Sequence, residues 1–279
     1  MKIYIMTDME GVCGVCDSEN WCVPGGRLYE RGRELLSLEI NAAIAGFYDS
    51  GADIKEILVV DGHGYGGIDN LLLDERAQYA KISGYPFGFD GSYDFIAFVG
   101  QHAKACTPRA HLAHTQSFFV RDYLINGVST GEFGQTALLG AVNGLNVPVI
   151  FASGDLAFTK EAESFCPGIV TAAVKRGTAE GGGEECTREE YAVRNLGAIH
   201  LHPNAARRMI RERAKTAVSR FIENRGGFGV PEISAPFKRE VYIRGGEGKT
   251  PYKAVSEHPS DYVAMMNSKH EKVSEGDES

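Results

Sequence analysis

The sequence predicts an α/β fold with a mainly parallel sheet flanked by helices and a smaller C-terminal α+β portion. Two observations carry this expectation. Short apolar runs without internal polar residues, the pattern of strands buried on both faces, alternate with segments whose apolar residues recur at helical spacing. Such alternation builds βαβ units and therefore a parallel sheet. In addition, carboxylates or imidazoles directly follow four of the runs, where an open α/β sheet places its ligand site.

Lys2 to Thr7 forms the first strand and runs into Asp8-Met9-Glu10-Gly11. A Gly-rich loop leads to a helix over 28–48, with Leu28, Leu35, Leu36, Ile40, Ile44 and Phe47 at helical spacing and Gly51 as its stop. Ile57 to Val60 and Phe95 to Val99 read as buried strands. Segment 116–129 reads either as two strands joined near Arg121-Asp122 or as one strand followed by the Asn126-Gly127 turn. A helix is expected over 132–145, a strand over 147–152, a helix over 159–165 and a strand over 169–174. Beyond Lys175 the pattern loosens. Gly177 to Thr187 is a Gly- and Glu-rich loop, Pro203 to Asn224 a long basic amphipathic helix opened by its proline, Phe237 to Arg244 a strand, and Asp261 to Met266 a last helical turn. The expected organisation is a principal α/β domain over 1–176, a smaller portion with a long helix over 177–264, and a disordered tail over 265–279.

The 279 residues are 43% hydrophobic and 24% charged, with a formal net charge of −8. Without a long basic run, nucleic acid is not an expected partner. No apolar stretch approaches the roughly 20 residues that span a bilayer, so no membrane partner is expected either. The chain opens as a core strand rather than as a basic segment followed by an apolar one, and the expected location is the cytoplasm. Cys13-Gly14-Val15-Cys16 has the spacing of a zinc knuckle or redox pair, but no second pair completes it. The six cysteines are read as free thiols in a reducing compartment.

The chemistry gathers after the strands. Residues two apart on an extended chain share a face, which sets the Cα atoms of Asp8 and Glu10 roughly 6.6 Å apart. Two such carboxylates repel unless a cation lies between them. Asp61-Gly62-His63-Gly64, Gly100-Gln101-His102 and Gly154-Asp155 follow three later runs, and Glu132 opens a helix between glycines. Carboxylate oxygens mixed with imidazole nitrogens suit zinc, manganese or ferrous iron better than calcium or magnesium, and a bridging carboxylate makes a two-metal site natural. The connection from His102 to Thr115 holds three histidines, and one that does not bind metal is free to carry protons. Lys104 and Arg109 in that loop are candidates to orient a substrate carboxylate, or are simply solvated.

Asp8-Met9-Glu10-Gly11, Asp61-Gly62-His63, Gly100-Gln101-His102-Ala103, Thr107-Pro108, His114-Thr115, Gly131-Glu132, Gly154-Asp155 and Thr171-Ala172-Ala173-Val174-Lys175 stand in the order of one family's motifs. In these the sequence resembles the binuclear zinc D-aminopeptidases, from residue 1 to about 175 and again through the helix after Pro203. The loop 177–187 looks inserted, and the part beyond Phe237 matches poorly.

The resemblance implies that Asp8 bridges two zinc ions, that Glu10 and His102 complete one site, and that His63 and Glu132 complete the other. Two zinc ions per chain are expected, with manganese or iron compatible with the same donors. The family's catalytic histidine falls on His114, which precedes a hydroxyl residue; His111 is its nearby competitor and, with Asp155, a candidate substrate contact. The implied activity is hydrolysis of short peptides, with D-amino-acid N-termini such as D-Ala-D-Ala, by a water between the ions. The implied assembly is a homo-oligomer, a self-compartmentalised decamer. A two-metal phosphoesterase and a metal-stabilised peptide-binding protein without catalysis are the alternatives.

Overall fold

The computed structural model describes residues 1–273. In chain order its first half comprises β1 (Lys2–Thr7), α1 (Ser18–Trp21), α2 (Tyr29–Asp49), β2 (Glu56–Asp61), β3 (Gln78–Ala80), β4 (Phe95–Gln101), β5 (Val120–Ile125), β6 (Val128–Ser129) and α3 (Glu132–Ala137). There follow β7 (Val149–Asp155), α4 (Leu156–Phe165), β8 (Val170–Gly177), α5 (Arg188–Arg194), β9 (Ala198–His200), α6 (Pro203–Glu223), β10 (Phe237–Ile243), β11 (Tyr252–His258), α7 (Tyr262–Asn267) and β12 (Glu271–Val273).

Seven strands form the main sheet in the order β3-β2-β1-β4-β7-β8-β9, parallel except for the pairing of β8 with β9. From central β1 the chain first steps outward to β2 and then returns to the opposite side at β4. The crevice beyond the carboxyl ends of β1 and β4 is therefore the switch point at which such sheets bind ligands.

Alternation along β1 divides the interior in two. Ile3 and Ile5 join Leu36, Ile40 and Phe47 of α2 and Ile210, Ala214 and Phe221 of α6 on one face. Tyr4 and Met6 join Phe98, Phe133, Tyr123 and Tyr262 on the other. Burying one large apolar side chain contributes about 1.5–3 kcal/mol, so the two layers fix the sheet between them. The basic residues of α6 stay outside, where Arg211 pairs with Asp49 of α2 at 2.5 Å.

A second, antiparallel sheet of order β12-β11-β10-β5-β6 covers the second layer. Here the structure departs from the expected boundary at 176/177. The β5–β6 hairpin, from the first segment, pairs with β10 from the second, while α6 packs back against α2 of the first. Of the two readings of 116–129, the hairpin holds: Asn126 and Gly127 have φ of 48° and 81°, as a two-residue turn between twisted strands requires. The helix expected over 132–145 stops at Ala137 and gives way to two 3₁₀ turns, and within the second Asn143 and Gly144 turn left-handed with φ of 58° and 71°, which breaks the helical path before residue 145. The expected tail is also corrected in part. Residues 265–267 end α7 and 271–273 form an edge strand on β11, whereas 274–279 lie outside the described residues. No described helix is long and apolar enough to cross a membrane.

Candidate metal centre

Four chain segments converge on the switch point. Asp8 and Glu10 leave β1, His63 follows β2, Gln101 ends β4 with His102 next, and Glu132 opens α3. The loops after β1 and β4 interlock through Asp8 N–H to Val99 O at 3.0 Å and Gly11 N–H to Gly100 O at 2.8 Å. This closeness needs glycine: a Cβ on Gly100, which has φ of +76°, would lie 2.2 Å from Asp8 O, and one on Gly11 would lie 2.0 Å from Gln101 O. Asp61, in contrast, turns away. Both its carboxylate oxygens accept the Gly67 N–H at 3.0 Å and shape the loop that presents His63.

Asp8 sits between two imidazoles. Its Oδ1 is 3.3 Å from His63 Nδ1, and its Oδ2 is 3.1 Å from His102 Nε2. Glu10 Oε2 approaches His63 Nδ1 at 3.1 Å, and Glu132 Oε2 lies 3.7 Å from His102 Nε2. The structure thus groups Glu10 with His63 and Glu132 with His102, the reverse of the pairing implied by the resemblance. The reason is topological: β1 has β2 on one side and β4 on the other, so the acid leaving β1 toward β2 meets His63. The His114 ring stacks on that of His102 with centroids 4.0 Å apart, and its Nε2 is 3.9 Å from Glu132 Oε1.

The second nitrogen of each ring fixes its tautomer. His63 Nε2 lies 2.6 Å from Cys22 O, His102 Nδ1 2.9 Å from Ala103 O, and His114 Nδ1 2.8 Å from Leu112 O. A carbonyl oxygen only accepts, so each of these nitrogens carries its proton and the opposite nitrogen turns its lone pair toward carboxylates. Lone pair against carboxylate is repulsive unless the ring takes a second proton or a cation intervenes. Burial opposes charge on His63, but Glu10 and Asp8 outweigh it and raise its pKa to about 12. Burial opposes charge on Asp8 as well, yet His102 and His63 hold its carboxyl well below the usual carboxylate range.

Within this cluster, the buried Glu10 Oε2 and His102 Nε2 have no hydrogen-bond partner among the described residues. Asp8, Glu10 and His63 form one group of converging donor atoms, and His102, His114 and Glu132 another. Oxygen and nitrogen donors on compact centres, with imidazoles braced by backbone carbonyls, suit zinc and similar transition ions. The residues fit a pair of divalent cations with Asp8 between them.

Asp8, Glu10, His63, His114 and Glu132 line the base of a cavity of about 670 Å³, walled by Tyr65, Tyr85, Phe87, Phe118 and Phe119. Asp155 and His111 do not reach it. Asp155 is fully buried and caps α4, its oxygens accepting the N–H groups of Phe158 and His111 at 2.9 Å each. His111 is fully buried, with Nε2 on Cys16 O at 3.1 Å, and burial pushes its pKa down to about 3. These two expected substrate contacts are corrected to structural residues, and of the competing histidines only His114 faces the cavity. Lys104 is bound to Ser129 and Arg109 to Glu180, outside that cavity.

Three participants carried no assignment from the sequence. Gln101 donates to Asp8 Oδ2 at 3.0 Å and fixes that carboxylate between the two imidazoles. Lys175, at the end of the Thr-Ala-Ala-Val-Lys run, reaches beneath the centre to Glu10 O. Arg188 lines the cavity from α5. Gln101 lay inside a quoted motif, so its adjacency to His102 was the available signal; nothing in the sequence marked Arg188.

A profile of D-aminopeptidases, peptidase family M55, matches residues 1–247. The D-aminopeptidase of Bacillus subtilis (strain 168) is 38% identical over 183 residues, covering 63% of this chain and 64% of the relative. The aligned chain therefore spans less than two thirds of that relative's length. The solved structure of the Zn-dependent D-aminopeptidase DppA from Bacillus subtilis, described as a self-compartmentalizing protease, superposes with a TM-score of 0.77 at 26% identity, over 95% of this chain and 94% of that one. With the profile spanning all but the last 32 residues of 279, the chain belongs to the D-aminopeptidase family.

Proposed function

We propose that the protein is a binuclear zinc aminopeptidase that hydrolyses short peptides, among them peptides with D-amino-acid N-termini such as D-Ala-D-Ala. The observation that carries the reading is Asp8 set between His63 and His102, with Glu10 and Glu132 outside them, at the base of an aromatic-walled cavity. Family membership supports it, as does the zinc dependence named for the solved relative.

Two divalent ions bound there supply Lewis acidity, which polarises a peptide carbonyl and makes water a competent nucleophile near neutral pH. The chain's own residues do the rest. Glu10 with His63 and Glu132 with His102 would hold the two cations, while Gln101 orients Asp8 between the imidazoles. His114, with Nδ1–H tied to Leu112 O, turns Nε2 toward the reacting centre to take up a proton and, once protonated, to steady the developing oxyanion. The aromatic walls lower the polarity around the base and strengthen these interactions.

Assembly as a homo-oligomer, a decamer enclosing its sites, belongs to the same proposal; the self-compartmentalizing description of the solved relative supports it. So does a cytoplasmic setting, in keeping with six free thiols. The phosphoesterase alternative is disfavoured because, among the described residues, Arg188 is the one Lys or Arg lining the cavity, whereas phosphoryl transfer draws on clamps of several cations. Incubation of the zinc-loaded protein with D-Ala-D-Ala, L-Ala-L-Ala and a generic phosphate ester tests the reading. Release of alanine from D-Ala-D-Ala is expected; phosphate release without peptide cleavage would overturn it.

A further inference from the structure

The cavity is lined by one guanidinium. Its base carries the metal-donor side chains Asp8, Glu10 and Glu132, and its one Lys or Arg among the described residues is Arg188. Arg188 is held from two directions. Thr187 and Glu190 close a capping box around the start of α5, and the Arg188 N–H donates to Gly245 O at 2.9 Å. Its guanidinium lies over the Phe119 ring at 5.8 Å, and the adjacent Phe118 ring is 5.0 Å from that of His114. Two consecutive aromatic residues therefore separate the cation from the histidine at the reacting end.

A short peptide ends in a free carboxylate, the group that a guanidinium fork pairs with. An extended chain advances at most about 3.3–3.6 Å per residue, so each added residue carries its carboxylate farther from the scissile bond. A fixed cation thereby measures length. Among the described residues Arg188 makes one ion pair, with Glu247 at 3.2 Å through Nη1, and a guanidinium has five N–H donors in a planar fork, enough to receive a second carboxylate. Lys104 and Arg109, the loop cations that the sequence offered for this task, are outside the cavity.

Building on the aminopeptidase reading above, we infer that Arg188 anchors the free C-terminal carboxylate of the substrate and restricts this cavity to short peptides with an unblocked C-terminus. The test compares D-Ala-D-Ala with its C-terminal amide, in the zinc-loaded wild type, Arg188→Gln and Arg188→Lys. A charge-assisted contact of this kind gives the wild type a preference for the free acid of about tenfold in kcat/KM. Arg188→Gln brings the acid-to-amide ratio close to one, and Arg188→Lys restores part of it. A role for Arg188 confined to structure would lower both substrates together and leave the ratio unmoved. Equal wild-type cleavage of acid and amide, or a ratio unchanged in Arg188→Gln, overturns the anchor while leaving the aminopeptidase intact. Cleavage of neither peptide by the wild type overturns the reading on which the anchor rests.

Discussion

The ammonium of Lys175 donates to the backbone carbonyl of Glu10 at 2.5 Å and to that of Val15 at 3.2 Å, joining the end of β8 to the loop after β1. Lys175 is 3% exposed. Burial lowers its pKa, and the nearby Asp155 and Glu39 act to keep it charged. A cation in this place fixes the backbone from which Glu10 reaches the metal centre.

Lys175→Met should therefore weaken both the fold and the centre. It leaves two buried carbonyls unpaired, at a cost of about 1–3 kcal/mol for each such group. Thermal unfolding with and without zinc, together with chelator competition, should show a lower Tm and faster zinc loss. An unchanged variant would remove Lys175 from the account.

The grouping of donors makes the metal content of single variants informative. Glu10→Ala and His63→Ala should each lose chiefly one ion, Glu132→Ala and His102→Ala chiefly the other, and Asp8→Ala both. Elemental analysis distinguishes this from the alternative pairing when Glu10→Ala is combined with His63→Ala. The double variant should hold as much metal as either single one, whereas two separate sites would leave it nearly empty.

His114 touches the site without being needed to hold Asp8 or Glu10. His114→Ala should keep its metal while kcat falls by about 10²–10⁴, the range for a lost proton-transfer residue. Loss of an ion in this variant would make His114 a ligand instead.

Glu39 gives the fold a pH dependence. Burial raises its carboxyl from 4.5 to about 7, against the lowering effect of the Cys13 N–H and of Lys175. The folded state thus binds the proton more tightly than the unfolded chain. Stability from this group is complete below about 4.5 and is lost as pH rises through 7. Glu39→Gln should gain about 1–3 kcal/mol relative to wild type between pH 5 and 8, measured by urea unfolding at each pH. A difference independent of pH would contradict it.

Most of the sheet was legible because buried parallel strands are nearly pure apolar runs, and because the switch point puts the residues after those runs in one crevice. All five expected ligands, and His114, arrive there. The pairing of ligands was not legible, since it depends on which neighbour lies on which side of β1. Asp155 and His111 misled for a related reason: a residue at the sheet edge can turn inward to cap a helix or bind a backbone group as readily as face a ligand. The second sheet escaped notice because its strands come from 120–129 and 237–273, far apart in sequence. Arg188 follows a Gly- and Glu-rich loop whose path no local pattern encodes.

The central claim, a two-metal aminopeptidase, is tested most directly by titrating the metal-free protein with zinc while following D-Ala-D-Ala hydrolysis. Activity should stay low through the first equivalent and saturate at two per chain. Full activity at one equivalent or none, or no hydrolysis with two bound, would contradict the account.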